Sequence, residues 1–171
     1  MFKKMFSVIF SILLVLTASL LPVQANDGIV YGPLRVTGVI KGTPESVAIP
    51  LGDISATTTK TIFSAHKAVM IKRIHVSSSA TLATSDSAYF TFGSVNKGTD
   101  GSGSTAIVSA SVDANKTTVA GAGLTAYVKR ALTLGTSLSI TKDSVLTLTI
   151  TKSGSPANLT DVVVYVDYIG I

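Results

Sequence analysis

A chain of 171 residues with a net charge of +5, no cysteine and no tryptophan has room for one domain with a substantial core, and it cannot be built on disulfides or thiolate zinc sites. Only 13% of its residues are charged, and Lys72-Arg73 and Lys129-Arg130 are isolated pairs rather than parts of a basic block with interleaved aromatics, which argues against a nucleic-acid interface. Thr, Ser, Ala, Val and Gly dominate, as in a tightly packed all-β structural protein.

The first residues read as an export signal. Met1-Phe2-Lys3-Lys4 is cationic, Met5 to Leu21 is apolar apart from Ser7, Ser11, Thr17 and Ser19, and Val23-Gln24-Ala25 after Pro22 offers the small residues a signal peptidase reads. This predicts a signal peptide over residues 1–25, cleaved after Ala25, and a secreted or cell-surface protein. The alternative is a retained anchor, which would be the only membrane contact. Cleavage removes Lys3 and Lys4 from fourteen basic residues and lowers the net charge from +5 to +3.

Residues 26–33, interrupted by Gly28, Gly32 and Pro33, read as an extended N-terminal arm, and residues 34–171 as the folded domain. Leu34 to Ile40 alternates as a first strand. Ser46 to Leu51 is a short strand whose Pro50 points to an edge or a strand end. Thr57 to Ser64 has the β-branched content of a strand. Val69 to Val76 is a stronger one with mixed alternation: Met70, Ile74 and Val76 share one face, and Val69 and Ile71 share the other with Arg73 and His75.

A polar loop over residues 77–87 precedes Tyr89-Phe90-Thr91-Phe92, where Phe90 and Phe92 form the expected aromatic core contribution. Residues 96–104 are turn-rich, Ala106 to Val112 reads as a strand, and Asp113 to Gly123 as a loop or ribbon. Leu124 to Leu134 carries Leu124, Ala126, Val128, Arg130, Leu132 and Leu134 on one period-2 face, with Arg130 marking a bulge or the point where the strand leaves the core.

The last thirty residues read as a hairpin. Leu146, Leu148 and Ile150 alternate with Thr147, Thr149 and Thr151, a buried face against a wet, hydroxyl-rich one. After the turn Lys152 to Asn158, the β-branched run from Val162 to Val166 suggests a central strand covered on both faces at that end. The pattern predicts an antiparallel β-sandwich, of jelly-roll type, with eight or nine strands and no helix.

Chemistry-bearing residues are few. His66 and His75 are the only histidines and Glu45 the only glutamate, and no Gly-x-Ser-x-Gly nucleophile elbow occurs; the reading assigns no catalytic, cofactor or metal residue and no enzymatic activity. Asp86, Asp100 and Asp113 sit in predicted loops where oxygen ligands for a structural calcium would gather, though Asp is also the ordinary turn former. Tyr31, Tyr89, Tyr127, Tyr165 and Tyr168 are the candidate sugar platforms.

The runs Arg73-Ile74-His75-Val76, Ala80 to Phe92, Asn96 to Gly103, Gly123 to Ala126 and Lys142 to Gly154, the last with its Asp-Ser-Val-Leu-Thr-Leu entry, resemble small β-sandwich structural proteins of tailed-phage virions, of the head-decoration or head-fibre type. The resemblance covers about residues 69–169 and implies a non-enzymatic subunit that assembles with its own copies or docks on a capsid lattice, located in the virion if phage-encoded. The export signal departs from that pattern and points either to the same module recruited to the cell surface as an appendage or to a virus that uses a membrane route. A secreted carbohydrate-binding or adhesion module is the alternative function. In either setting the expected assembly uses strand edges and hydroxyl-rich faces, with the arm adding to a neighbour's sheet.

Overall fold

The computed structural model describes residues 42–171, which lie within the compact unit Val39–Ile171. The predicted signal peptide, the arm and the strand over residues 34–40 lie outside the described residues. Among the described residues, nine strands follow in chain order: β1 Pro44–Ile54, β2 Thr58–Ser64, β3 Val69–Ser77, β4 Tyr89–Asn96, β5 Thr105–Val108, β6 Arg130–Ala131, β7 Ser139–Ile140, β8 Val145–Ser153 and β9 Leu159–Gly170. A single 3-10 turn, Asp113–Asn115, interrupts the β5–β6 connection.

The strands form two antiparallel sheets. One runs β1-β9-β3-β6, with β7 pairing the far end of β3; the other runs β2-β8-β4-β5. Successive strands change sheet at every step except β4 to β5 and β6 to β7, which is the arrangement of a jelly roll. The all-β sandwich expected from the pattern is the fold observed.

The core lies between the sheets and is drawn wholly from Ile54 to Tyr168 among the described residues. Phe90 and Phe92 of β4 and Leu146, Leu148 and Ile150 of β8 face Val162, Val164 and Val166 of β9, all at 0% exposure. Each such side chain contributes about 1.5–3 kcal/mol by leaving water. The alternation of β8 is therefore read correctly, and Val162 to Val166 is central, between β1 and β3.

Several expectations need correction. First, β8 and β9 form no hairpin: they belong to different sheets, and Gly154–Asn158 carries the chain across the sandwich. Gly154 takes φ +67 there, and a Cβ would lie 2.1 Å from the Ser87 carbonyl oxygen. Turn chemistry is the same whether the chain returns within a sheet or crosses to the other, so composition alone suggested a return. Second, β9 is fully buried on its inner face only, and Val163 and Tyr165 on its outer side are half-buried.

Third, the mixed alternation of β3 is a β-bulge. Ile71 pairs with Tyr168 and Arg73 with Asp167, leaving Lys72 as the extra residue. The phase shifts there, so Val69, Ile71, Ile74 and Val76 all point inward, and Met70 does not share their face. Fourth, Leu124 to Leu134 is not a continuous strand. Leu124 makes one bridge to Leu82, Arg130–Ala131 pairs with β3, and Leu134 bridges Val108. A turn at Thr125–Val128 breaks it, closed by the Val128 N–H on the Thr125 carbonyl at 3.1 Å. Likewise the strand expected over residues 106–112 ends at Val108.

Candidate functional site

The residues singled out for chemistry meet in small groups rather than in one cluster: Tyr168 reaches Glu45, with His66 within electrostatic range, and His75 lies opposite Tyr165. His66 is exposed in the β2–β3 connection and His75 is half-buried on the outer face of β3. Each loop aspartate braces local backbone. Asp86 accepts the Val119 N–H at 2.9 Å, Asp100 accepts the Ser102 N–H at 3.0 Å and hydroxyl at 2.8 Å, and Asp113 pairs with Lys116 at 2.8 Å. The Ser102 N–H, then its hydroxyl, hold the Asp100 carboxyl below the usual carboxylate range. Among the described residues no group of three or more His, Asp or Glu side chains is placed to hold a metal ion.

The tyrosines separate by environment. Tyr31 lies outside the described residues. Tyr168 is buried, with its ring 4.7 Å from Phe63, and its hydroxyl donates to Glu45 Oε2 at 2.9 Å. Tyr165 is half-buried beneath Lys129, whose Nζ lies 3.6 Å from the ring centroid, and Tyr89 is half-buried. Tyr127 is 82% exposed at the tip of the Thr125–Val128 turn. Its φ of +62 is a left-handed value that a bulky residue adopts only at a cost.

At the end of the sandwich where β1 begins, Glu45 ties three elements together. Its carboxylate is ion-paired with Lys67 and accepts the Tyr168 hydroxyl. The Lys67 hydrogen bond and then the Tyr168 one hold Glu45 below the usual glutamate range. Burial first, and Glu45 second, raise the Tyr168 phenol above its ordinary value.

The opposite end is closed by an irregular ribbon in which residues 78–88 run beside 116–128. Leu82 and Leu124 exchange N–H to carbonyl bonds at 2.8 Å, the Ser85 N–H reaches the Thr117 carbonyl at 3.1 Å, and the Tyr127 N–H reaches Ser78 at 2.8 Å. Two further side chains brace the backbone on either side of this ribbon: Asn115, which the sequence reading did not single out, and Arg130, which it singled out as a bulge or strand exit. Asn115, at 0% exposure, donates to the Ser109 and Thr133 carbonyls and accepts the Thr133 N–H at 2.7 Å. Arg130 donates through Nη2 to the carbonyls of Ala114 and Lys116 at 2.7 and 2.6 Å, with its guanidinium 5.7 Å from the Phe92 ring centroid. Burial lowers its pKa, and its Nη1 is buried without a partner. Its odd position on an apolar face was the one signal in the sequence.

The two outer faces differ in chemistry, because residues directly opposite each other in antiparallel strands share a face. On the first sheet, Tyr165 lies between Ala48 and His75, and Asp167 between Ser46 and Arg73. Asp167 accepts the Ser46 hydroxyl at 2.6 Å and lies 3.5 Å from Arg73 Nε. On the second sheet the rows are Thr59–Thr149–Gly93 and Thr61–Thr147–Val95–Ala106. Its strands β2, β8, β4 and β5 hold only two charged residues, Lys60 and Lys152. Lys60 opposes Leu148 and Lys152 opposes Phe90, so both lie on the inward register. At the β4 margin Lys116 bridges Thr91, and its charge is met by Asp113.

No family model matches the chain, and no curated protein does. Two solved chains are similar to it in shape. One, from the cyanophage Pam1 capsid asymmetric unit, has a TM-score of 0.46 and 20% identity over 88% of this chain and 100% of that one. The other, from infectious bursal disease virus Gx strain, has a TM-score of 0.38 and 16% identity over 83% of this chain and 36% of that one. Both likenesses are loose, and the topology given above rests on the strand pairing.

Proposed function

We propose that this protein is a non-enzymatic structural subunit that works by assembling with copies of itself, as a virion-like decoration or a surface-appendage component. The observation that carries the reading is the division of labour among its polar groups. The loop aspartates, Asn115 and Arg130 brace the backbone around the sandwich, while one broad sheet face is left free of charge. A face of short hydroxyl and methyl groups suits packing against another surface and offers no general acid, base or nucleophile in a pocket. Sedimentation velocity on the chain from Asn26 to Ile171, which contains the whole described sandwich, tests the reading. Reversible growth in size with concentration is expected, and a strict monomer up to millimolar concentration defeats it.

One observation favours a second reading, a secreted carbohydrate-binding or adhesion module. Tyr127 is held in a strained backbone conformation with its ring almost fully exposed, and such strain collects at binding sites. On that reading a glycan array gives hits that vanish with Tyr127→Ala; an array without hits removes it.

A further inference from the structure

In a regular strand Lys72 and Arg73 would point to opposite faces of the sheet. The β3 bulge changes that. With Lys72 as the extra residue, Ile71 and Ile74 both point into the core at 0% exposure, and Lys72 and Arg73 are both exposed. Bulges recur beside functional sites because they re-aim side chains in this way. The two cations line one groove of about 500 Å³ on the first sheet, together with Ser46 of β1, Asp167 of β9 and an apolar margin of Pro44 and Ile169. That volume lies within the range of small-molecule sites, about 300–1,000 Å³.

The polar groups of the groove are held in place by one another. Ser46 donates its hydroxyl to Asp167 Oδ1 at 2.6 Å, and Asp167 Oδ2 faces Arg73 Nε at 3.5 Å. The guanidinium is thus engaged from its Nε side. Its two Nη groups, whose planar fork matches a carboxylate, meet no other ion-pair partner among the described residues. Two carboxylates line the groove and each is already matched, Asp167 by Arg73 and Glu45 by Lys67. Lys72 is the cation left over. Its Nζ lies 3.4 Å from the Met70 sulfur, a weak acceptor, and it has no carboxylate within ion-pair distance among the described residues. The groove therefore carries one positive charge in excess.

We infer that this groove binds a sugar acid, a pyranose carrying a single carboxylate. The carboxylate takes the Arg73 fork beside Lys72, and the C–H face of the ring lies on Pro44 and Ile169. The ring hydroxyls donate to the lone pairs that Asp167 and Glu45 still have free, since each carboxylate oxygen accepts about two hydrogen bonds. Charge and donors select this class over others. A phosphate monoester carries about −1.5 to −2 at neutral pH, more than the excess charge of the groove. A plain alkyl carboxylate has no hydroxyls for the two carboxylates that line it. This site is independent of the assembly reading, and it lies apart from the Tyr127 turn of the second reading.

The test is a backbone amide NMR titration of the chain from Asn26 to Ile171 with glucuronate, galacturonate and N-acetylneuraminate. Glucose, acetate and inorganic phosphate at matched ionic strength are the comparison ligands. At least one sugar acid is expected to shift Ser46, Arg73, Asp167 and Ile169 saturably, with a Kd on the order of 1 mM. Glucose, acetate and phosphate bind about tenfold more weakly or not at all. Arg73→Gln weakens sugar-acid binding by about tenfold or more, Lys72→Gln by about threefold, and Tyr127→Ala leaves it unchanged. The Arg73 side chain is 71% exposed, so its variant keeps the fold. No saturable shift with any of the three sugar acids overturns the site. Equal binding of acetate or phosphate overturns the ligand class. Binding that is lost in Tyr127→Ala and kept in Arg73→Gln overturns the groove and leaves the second reading standing.

Discussion

Asn115 shows how much structure one neutral side chain can carry. It sits in a connection rich in small residues, where an asparagine looks like any other turn former. Its partners are 6 and 18 residues away in the chain, so no local pattern announces its role. Replacing it with alanine removes the partner of the Thr133 N–H and the Asn115 donation to the Thr133 carbonyl in a site at 0% exposure, while the Ser109 carbonyl keeps only the Val112 N–H at 3.3 Å. Buried polar groups left unpaired cost about 1–3 kcal/mol each, reduced where water enters. We expect Asn115→Ala to lower stability by about 3 kcal/mol and the melting temperature by roughly 10 °C, read by calorimetry. Asn115→Asp keeps the acceptor and loses the two donations, so a loss as large as that of alanine is expected there too; a loss under about 0.5 kcal/mol for both would contradict the bracing role. Arg130 was legible as an anomaly because a cation interrupted an apolar face, but what it reaches for, two carbonyls of a distant loop, follows from the fold alone.

At the scale of the element, strands were legible where one face is buried without interruption and obscure where the backbone departs from regular pairing. The alternation of Leu146, Leu148 and Ile150 against threonines gave β8 its length and its faces, and the same pattern placed Phe90 and Phe92 inward. In β3 the inserted Lys72 shifts the side-chain phase mid-strand, so a fixed period of two splits one buried face into two half-faces. Between Leu124 and Leu134 the period persists with no partner strand beneath most of it, and the positive φ of Tyr127 turns the chain away. The β8–β9 connection is the most instructive miss. Both strands and their turn residues were visible, yet whether two consecutive strands pair or face each other across a core depends on which other strands take the adjacent places. In this fold β4 and β2 flank β8, and β1 and β3 flank β9. The outward hydroxyl face was visible in the threonine spacing, but its freedom from charge required the pairing, which puts Lys60 opposite Leu148 and Lys152 opposite Phe90, off the threonine rows.

The stability of the whole molecule should depend on pH through the clamp at the start of β1, which joins β1, the β2–β3 connection and β9. Glu45 has a lowered pKa in the folded state, chiefly from Lys67 and then Tyr168. Its contribution is therefore present above the ordinary glutamate pKa of about 4.3 and is lost as pH falls through the lowered folded value. Tyr168 moves the other way. Its folded pKa is raised by burial and by Glu45, so its contribution is intact below the ordinary tyrosine pKa of about 10 and is lost as pH rises through the raised folded value. The two groups together bound a plateau across neutral pH, with decline on both sides. In Glu45→Gln the part of the acid decline that belongs to Glu45 disappears, so the curve of stability against pH is flatter below pH 4–5. The same substitution removes the negative neighbour of the phenol while leaving its burial unchanged. Spectrophotometric titration of the tyrosines should then show the most resistant group ionising at lower pH than in the wild type, without returning fully to the ordinary value. An unchanged tyrosine titration together with an unchanged acid limb would mean that the three side chains do not act as one clamp.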